Sequence, residues 1–267
     1  MSRPYDPADH LVDAYRSARL QYVRADASDE RFLAFVPLIE QDPVTQAHAA
    51  PTVLQPKGRR QFEDYAAGVA ASTLGVMICL LPEEEEERRQ QQQQEQQSQQ
   101  QSQSQQQQSQ QQVSPSQQQQ KQEPAESDKE PKKPTIIGVI CLGWGGGNPA
   151  TAHHRGSSIG VSLAAAHQGR GYGREAIDWM LDWAFRHAGL HTVAITAASY
   201  NARACALYES MGFVREGCRR ETIWMDRAWH DEIEFGMTEG EWEARRGWGS
   251  NNATRGAADR GSEVAKS

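Results

Sequence analysis

Residues 168–173, Gln168-Gly169-Arg170-Gly171-Tyr172-Gly173, constrain this chain most, because of what flanks them. Upstream, Ile159-Gly160-Val161-Ser162-Leu163 is the short apolar run of a strand. Downstream, Ala176, Ile177, Met180, Leu181, Ala184 and Phe185 recur at helical spacing, and Gly189 follows as a stop signal. A strand, a glycine loop and a helix in that order present a row of backbone N–H groups to an anion. The first turn of a helix has N–H groups without internal partners, and the helix dipole is positive there. Glycine lets the backbone come close to a phosphate. A phosphorylated ligand is therefore expected at this point of the chain.

Two common phosphate fingerprints fail. After Gly169 and Gly171, the third glycine of G-x-G-x-x-G is replaced by Arg174, and Thr192-Val193-Ala194-Ile195-Thr196 stands where an acidic residue would bind a ribose. No Gly-Lys-Ser or Gly-Lys-Thr follows, so a P-loop is excluded. The pattern that fits is Q-x-x-G-x-G. Beyond the helix, residues 191–198 alternate as a strand does. Asn201-Ala202-Arg203-Ala204-Cys205-Ala206-Leu207-Tyr208-Glu209-Ser210-Met211-Gly212-Phe213 then reads as a short helix, with Asn201 at its N-cap and Gly212 as its C-terminal glycine.

Gln168-x-x-Gly171-x-Gly173 followed by Asn201, Leu207-Tyr208 and Gly212-Phe213 resembles the GNAT superfamily of acetyl-coenzyme A-dependent N-acetyltransferases. The continuation Glu216-Gly217, Asp231 and Glu241-Trp242 resembles the branch of ribosomal-protein and other amino-terminal acetyltransferases. The resemblance is sharp over about residues 157–242 and diffuse over the first 80. It implies an α/β fold with a mixed central sheet flanked by helices, and acetyl-coenzyme A as cosubstrate. It also implies coenzyme contacts from Leu163, Gln168, Gly169, Arg170, Gly171, Tyr172, Gly173 and Asn201. Backbone N–H groups from Gln168 to Gly173 would hold the pyrophosphate, with Arg170 or Arg174 adding charge; a solvated helix start explains those arginines equally well. In the resembled fold the strand before the loop splays from its neighbour and pantetheine inserts there, so Leu163, with Ser162 or Ala164 beside it, is the expected source of main-chain hydrogen bonds. That strand ends Leu163-Ala164-Ala165-Ala166-His167, without the proline common there in the family. Tyr208 matches the family tyrosine that protonates the leaving thiolate, the alternative being a buried helix tyrosine. Asn201 matches a coenzyme-contacting asparagine and can cap its helix as well.

The acceptor is open between a small amine and a protein amino terminus or lysine, and the oligomeric state between monomer and homodimer. No general base stands out; His153, His154, Glu216 and Glu221 are the candidates by rough placement, and the histidine pair also reads as an exposed loop. The contrasting reading is a non-catalytic acyl-coenzyme A-binding or scaffolding protein, which would need no leaving-group acid. A net charge of −7 without a basic stripe argues against nucleic-acid binding. Four cysteines without C-x-x-C spacing argue against a thiolate metal site and for small buried side chains; no metal is expected. No apolar run is long enough to span a membrane, and Met1-Ser2-Arg3-Pro4 does not begin a signal peptide, so a cytoplasmic or nuclear location is expected.

Residues 83–134 change character, running from five glutamates through glutamine tracts into a Glu/Lys/Pro stretch. With almost no apolar surface to offset its chain entropy, this segment is expected to be disordered. The apolar runs at 75–81 and 135–142 on its two sides both read as buried strands, so it is placed at the tip of a hairpin. Loop-closure entropy grows only logarithmically with length, so an insertion there is tolerated. Repeat expansion without function and a self-associating surface both fit its composition. The organisation expected is an extension over 1–16, a catalytic domain over 17–248 interrupted by 83–134, and a disordered tail over 249–267. Its elements are a strand at 19–24, helices at 29–39 and 60–69, three strands, a helix, a strand, a helix, and two strands at 221–225 and 232–237. Trp179, Trp183, Trp224 and Trp229 are expected to pack the sheet and helix rather than stack on a substrate, although Trp224 and Trp229 flank the region where acceptor loops lie in the resembled family.

Overall fold

A computed structural model of the chain describes residues 11–49, 52–91, 93–94 and 133–247. Two units are distinguished, one formed by Met1–Cys79 with Ile136–Ser267 and the other by Leu80–Thr135.

The first unit is organised by two strands with little polar character. Leu74–Leu80 (β2) and Ile136–Leu142 (β3) are buried at all but their first residues, as strands covered on both faces must be. They pair antiparallel, with Leu74 opposite Leu142 and Cys79 opposite Ile136. The long insertion therefore joins adjacent strands, as expected. Around them lie β1 (Leu20–Arg24), β4 (Gly156–Leu163), β5 (Thr192–Ala198), β6 (Val214–Met225) and β7 (Ala228–Thr238), in the sheet order β1-β2-β3-β4-β5-β7-β6. β4 and β5 run parallel, which makes the sheet mixed.

One face of the sheet is covered by α1 (Glu30–Phe35), α2 (Pro37–Glu40) and α4 (Arg59–Ala71), whose Phe32, Phe35, Ile39, Ala66 and Val69 pack on Met77, Cys79, Val139 and Cys141. The single helix expected over 29–39 is broken at Pro37, which has no N–H to continue the ladder. α3 (Pro43–Ala49) was not expected at all: it is short, and Asp42 starts it by accepting from the Thr45 N–H at 3.0 Å. α5 (Tyr172–Arg186) packs on β3 and β4, and its buried residues include all six apolar positions read from the sequence. α6 spans Ala202–Ser210. A final helix, α7 (Glu239–Arg246), also escaped the sequence reading. Thr238 and Glu241 form its capping box, and its buried Trp242 donates to Asp182 at 2.9 Å.

Three expectations are corrected. The strands read at 221–225 and 232–237 are the far parts of longer β6 and β7, whose register shifts at 215–217 and 219–223 break the alternation that marks a strand. Trp224 and Trp229 do not pack the sheet: they are exposed, 5.0 Å apart, beside a turn in which Asp226 and Arg227 both have positive φ. Cys218 is exposed rather than buried, and its thiol donates to Asp231 at 3.4 Å. At the amino end, Ala14 accepts from the Trp179 indole and Tyr15 from the Tyr22 N–H, so the fold is engaged before residue 17. The tail at 249–267 lies outside the described residues. Among the described residues no helix is long and apolar enough to cross a membrane.

In the second unit, residues 82–91 are helical. The helix occupies the first turns of the stretch expected to be disordered. Pro82 suits a first helical position, the glutamates that follow complement the helix dipole, and Glu85 pairs with Arg89 one turn on at 3.2 Å. Glu85 also accepts from the Thr135 N–H at 2.7 Å, and Leu80 donates to Thr135 O at 3.0 Å. Residues 95–132 lie outside the described residues. Deleting 83–134 and joining the strands by a two-residue Asn-Gly turn is expected to preserve a single cooperative melting transition. A broad, non-cooperative melt by calorimetry would make the insertion a working part of the domain.

Candidate active site

The site begins where two strands part. β4 and β5 are in register only at Gly156–Thr192, Ser157–Val193 and Ser158–Ala194. Beyond Ser158, β4 continues to Leu163 paired with β3 alone. Which groups then face the gap follows from antiparallel alternation. Gly143 donates to Ser158 O at 2.9 Å and Ala164 to Ile137 O at 3.0 Å, which puts the even-numbered residues of β4 in hydrogen-bonded pairs with β3. The N–H groups of Val161 and Leu163 therefore point to the β5 side, where no strand receives them. Of the residues expected here, Leu163 directs its backbone to the gap, while Ser162 and Ala164 direct theirs to β3. Val161 was missed, although counting two back from Leu163 finds it.

The glycine loop is set by the same strand end. Gly169 and Gly171 have φ of +75° and +86°, a conformation glycine adopts without steric cost, and Gly171 caps α5. Glu175 donates to Gly171 O at 3.1 Å, so the N–H groups of Gly173 and Arg174 have no intrahelical acceptor. At Gly173 an added methyl would meet only Leu163 Cδ1, at an ordinary 3.7 Å. Nothing in the protein itself requires glycine there. The expected run of N–H groups is shorter at its start than foreseen, because Gln168 N–H is taken by Ala165 O at 3.2 Å. The Gln168 side chain instead ties the loop down, its amide donating to Leu163 O at 2.9 Å and to Thr45 Oγ1 at 3.2 Å.

Charge near the loop is more committed than the sequence implied. Arg19, on the approach to β1, donates from Nε to Glu175 at 2.9 Å and from Nη1 to Arg170 O at 3.1 Å, and lies 4.6 Å from the Tyr172 ring centroid. Arg174 donates to the Ser210 hydroxyl on α6. The loop and the first turn of α5 are thus tied to the approach to β1 and to α6 by side chains of the protein itself.

One cavity of about 280 Å³ connects these parts. Val161, Ser162 and Leu163 line it along β4, Gln168 and Gly173 at the loop, and Asn201 and Tyr208 from α6. Asn201 caps α6, accepting from the Ala204 N–H at 3.2 Å, and keeps its side chain at the cavity wall. Tyr208 is buried against Phe213 and Phe235, and among the described residues its hydroxyl has no hydrogen-bond partner. Burial pushes its phenol up to about 12, so the hydroxyl stays protonated across the neutral range.

A second cavity, of about 400 Å³, is lined by Val161 and Ser162 as well. It lies under α4 and the loop after β3, among Glu40, Lys57, Tyr65, Cys141 and Trp144. None of these was singled out from sequence. The candidate bases are elsewhere: His153 and His154 are exposed in a short 3-10 turn, and Glu216 and Glu221 are exposed on β6. None of the four lines either cavity.

The model of the Acetyltransferase (GNAT) family matches residues 83–213. Over 78 residues the chain is 35% identical to the spermidine N(1)-acetyltransferase of Vibrio cholerae, covering 29% of this chain and 45% of that protein. The chain spans about half the length of the curated relatives it matches. Its fold is shared with the crystal structure of a Vibrio cholerae spermidine N-acetyltransferase in complex with CoA and spermine (TM-score 0.56, 16% identity, 85% of this chain and 99% of that one). An acetyltransferase of the GNAT family from Bacillus anthracis has the same fold at TM-score 0.55 and 14% identity, over 85% of this chain and 98% of that one.

Proposed function

We propose that this chain, which belongs to the GNAT acetyltransferase family, transfers an acetyl group from acetyl-coenzyme A to a primary amine. The observation that carries the reading is the opening between β4 and β5, which puts unpaired N–H groups, a helix start and a protonated tyrosine around one cavity. A pantetheine arm has the repeat of amide groups needed to pair with Val161 and Leu163. A pyrophosphate suits the N–H groups of Gly173 and Arg174, where the absence of a side chain at Gly173 leaves room for it.

The chemistry assigned to the chain is a single displacement. The neutral amine nitrogen bonds to the acetyl carbon while the carbon–sulfur bond breaks. Tyr208 gives its proton to the departing thiolate, and the amine loses one proton to water or to a base. An N–H of β4 aimed at the carbonyl oxygen stabilises the charge that builds there. Most of the acceleration comes from holding the two substrates together. A protein that only bound the coenzyme would have no use for a protonated phenol at this point.

Two measurements test the reading. Acetyl-coenzyme A at one hundred times its dissociation constant is expected to stabilise the protein by about 2.7 kcal/mol. For a domain of this size that is a rise of about 5–10 °C in melting temperature. No rise at millimolar coenzyme would remove the coenzyme from the assignment. Thiol release on adding primary amines then distinguishes transfer from binding. The resemblance to the amino-terminal acetyltransferase branch points to a peptide acceptor, and the second cavity points elsewhere.

A further inference from the structure

The second cavity opens on the face of β4 opposite α5. Small residues make it: Gly160 and Ser162 lie across from Cys141 and Val139, and a Cβ on Gly160 would sit only 3.2 Å from Cys141 Sγ. Its roof is Tyr65 of α4 with Trp144, their rings 5.2 Å apart and tilted by 56°. Trp144 stands between Gly143 and Gly145, both with positive φ, and lies so close over Gly68 that a methyl there would come within 2.5 Å of the indole. The two cavities share Ala49, Val161 and Ser162 as lining residues, the last two on β4. An amine held in the second and an acyl end held in the first would therefore meet across those two residues.

The charge on its walls is small and already balanced. Glu40 is buried, and its carboxylate is ion-paired with Lys57, itself only 14% exposed. No other acidic or basic side chain is among the described lining residues. The neighbouring Glu40 carboxylate adds to burial in pushing the Tyr65 phenol well up, so that wall stays neutral too. A polyamine carries several ammonium groups, and with Glu40 already paired to Lys57 none of them would find a counter-charge on a wall whose other polar groups, Thr52, Tyr65 and Ser162, are neutral. A peptide amino terminus would bring several backbone polar groups to the same wall. A single amine on an apolar or aromatic body brings one charge rather than several, and the Tyr65 and Trp144 faces favour both the ring and the cation.

We propose that this cavity is the acceptor site and that it selects a small primary amine bearing one charge on an aromatic or apolar body, in preference to polyamines and peptides. Lys57, by neutralising Glu40, is the residue that sets this preference. The inference rests on the acetyl-transfer reading given above.

The test compares phenethylamine, spermidine and a tripeptide, by calorimetric titration without coenzyme and by thiol release with acetyl-coenzyme A. Phenethylamine is expected to have the highest kcat/KM, by about tenfold or more, and Trp144→Ala to weaken its binding by at least about fivefold. Lys57→Gln frees the Glu40 carboxylate and should raise spermidine affinity by about tenfold; Glu40→Gln with Lys57→Gln makes the wall neutral again and should return spermidine to its weak binding. If Lys57→Gln fails to fold, the double variant and Trp144→Ala still decide the matter. Preference for spermidine or the tripeptide overturns the proposal, as does phenethylamine binding that ignores Trp144→Ala. Phenethylamine binding that depends on Trp144, without thiol release, supports the ligand class and overturns acetyl transfer instead.

Discussion

Gly171→Asp is expected to abolish acetyl-coenzyme A binding while leaving the protein folded. Two effects act in the same direction. The residue sits at φ +86°, where a side chain is strained by about 1–2 kcal/mol, a cost in stability that a folded domain of this size can absorb. The larger effect is electrostatic. A carboxylate at the cap of α5 occupies the position where the N–H groups of Gly173 and Arg174 would otherwise meet a pyrophosphate. Two like charges about 4 Å apart near a protein surface repel by about 4 kcal/mol, roughly a thousandfold in affinity. The Cβ position lies 3.3 Å from Arg19 Nη2, so the new carboxylate would also be held in place by that arginine rather than swing away. Gly171→Ala separates the two effects: it carries the strain without the charge. Calorimetric titration should show binding weakened by less than about tenfold in the alanine variant and lost in the aspartate variant. Equal losses in both would assign glycine's role to backbone shape alone, and unaltered binding in the aspartate variant would move the pyrophosphate to another part of the surface.

What the sequence disclosed was local, repeated or glycine-marked. α5 was legible because one of its faces is fully buried, so Ala176, Ile177, Met180, Leu181, Ala184 and Phe185 had to recur at helical spacing. β2 and β3 were legible because burial on both faces leaves no room for polar residues. The glycine loop was legible because Gly169 and Gly171 take a backbone conformation that other residues avoid. Where one of these signals was missing, the reading failed. α3 and α7 are too short for a periodic face and depend on the caps from Asp42 and Thr238. The bulges in β6 shift its side chains between faces, so alternation was visible over only its last residues.

The site divided in the same way. The coenzyme side draws mainly on a continuous stretch from Val161 to Arg174 and on α6, so its motif could be read as a string, while the wall added by Val44, Thr45, His48 and Ala49 of α3 could not. The second cavity draws on Glu40, Lys57, Tyr65, Cys141 and Trp144, spread over about a hundred residues and several separate elements and loops. No spacing rule links them. Two weak signals were present: Glu40 ends the otherwise apolar run Phe35-Val36-Pro37-Leu38-Ile39, and Trp144 is flanked by glycines at Gly143, Gly145, Gly146 and Gly147. A carboxylate closing an apolar helix needs a partner, and an aromatic held among glycines is being aimed. Gln168 shows the converse. Its place in the motif suggested ligand contact, and it does line the first cavity, but the motif did not disclose that its backbone and side chain fasten the end of β4 to the loop and to Thr45.

Tyr208→Phe is expected to lower kcat by about a hundredfold, with the dissociation constant for acetyl-coenzyme A nearly unchanged. General acid catalysis contributes on the order of a hundredfold to ten-thousandfold, and a thiolate leaves well enough on its own to place this case at the lower end. The ring itself packs on Phe213 and Phe235, contacts that phenylalanine keeps. Its hydroxyl makes no hydrogen bond among the described residues, so removing it leaves no buried group without a partner, and melting temperature should hold. The pH profile gives an independent check. Burial raises the Tyr208 pKa to about 12 from an ordinary value near 10, so the acid remains protonated as pH rises. The wild-type rate should therefore keep its alkaline plateau to about pH 10, and fall only as pH approaches the folded-state value. In the phenylalanine variant the plateau should be uniformly lower, with no new break. A parallel loss of coenzyme affinity would indicate a disturbed pocket, and an unchanged kcat with chemistry shown to limit turnover would leave Tyr208 as a packing residue and assign the thiolate's proton to water.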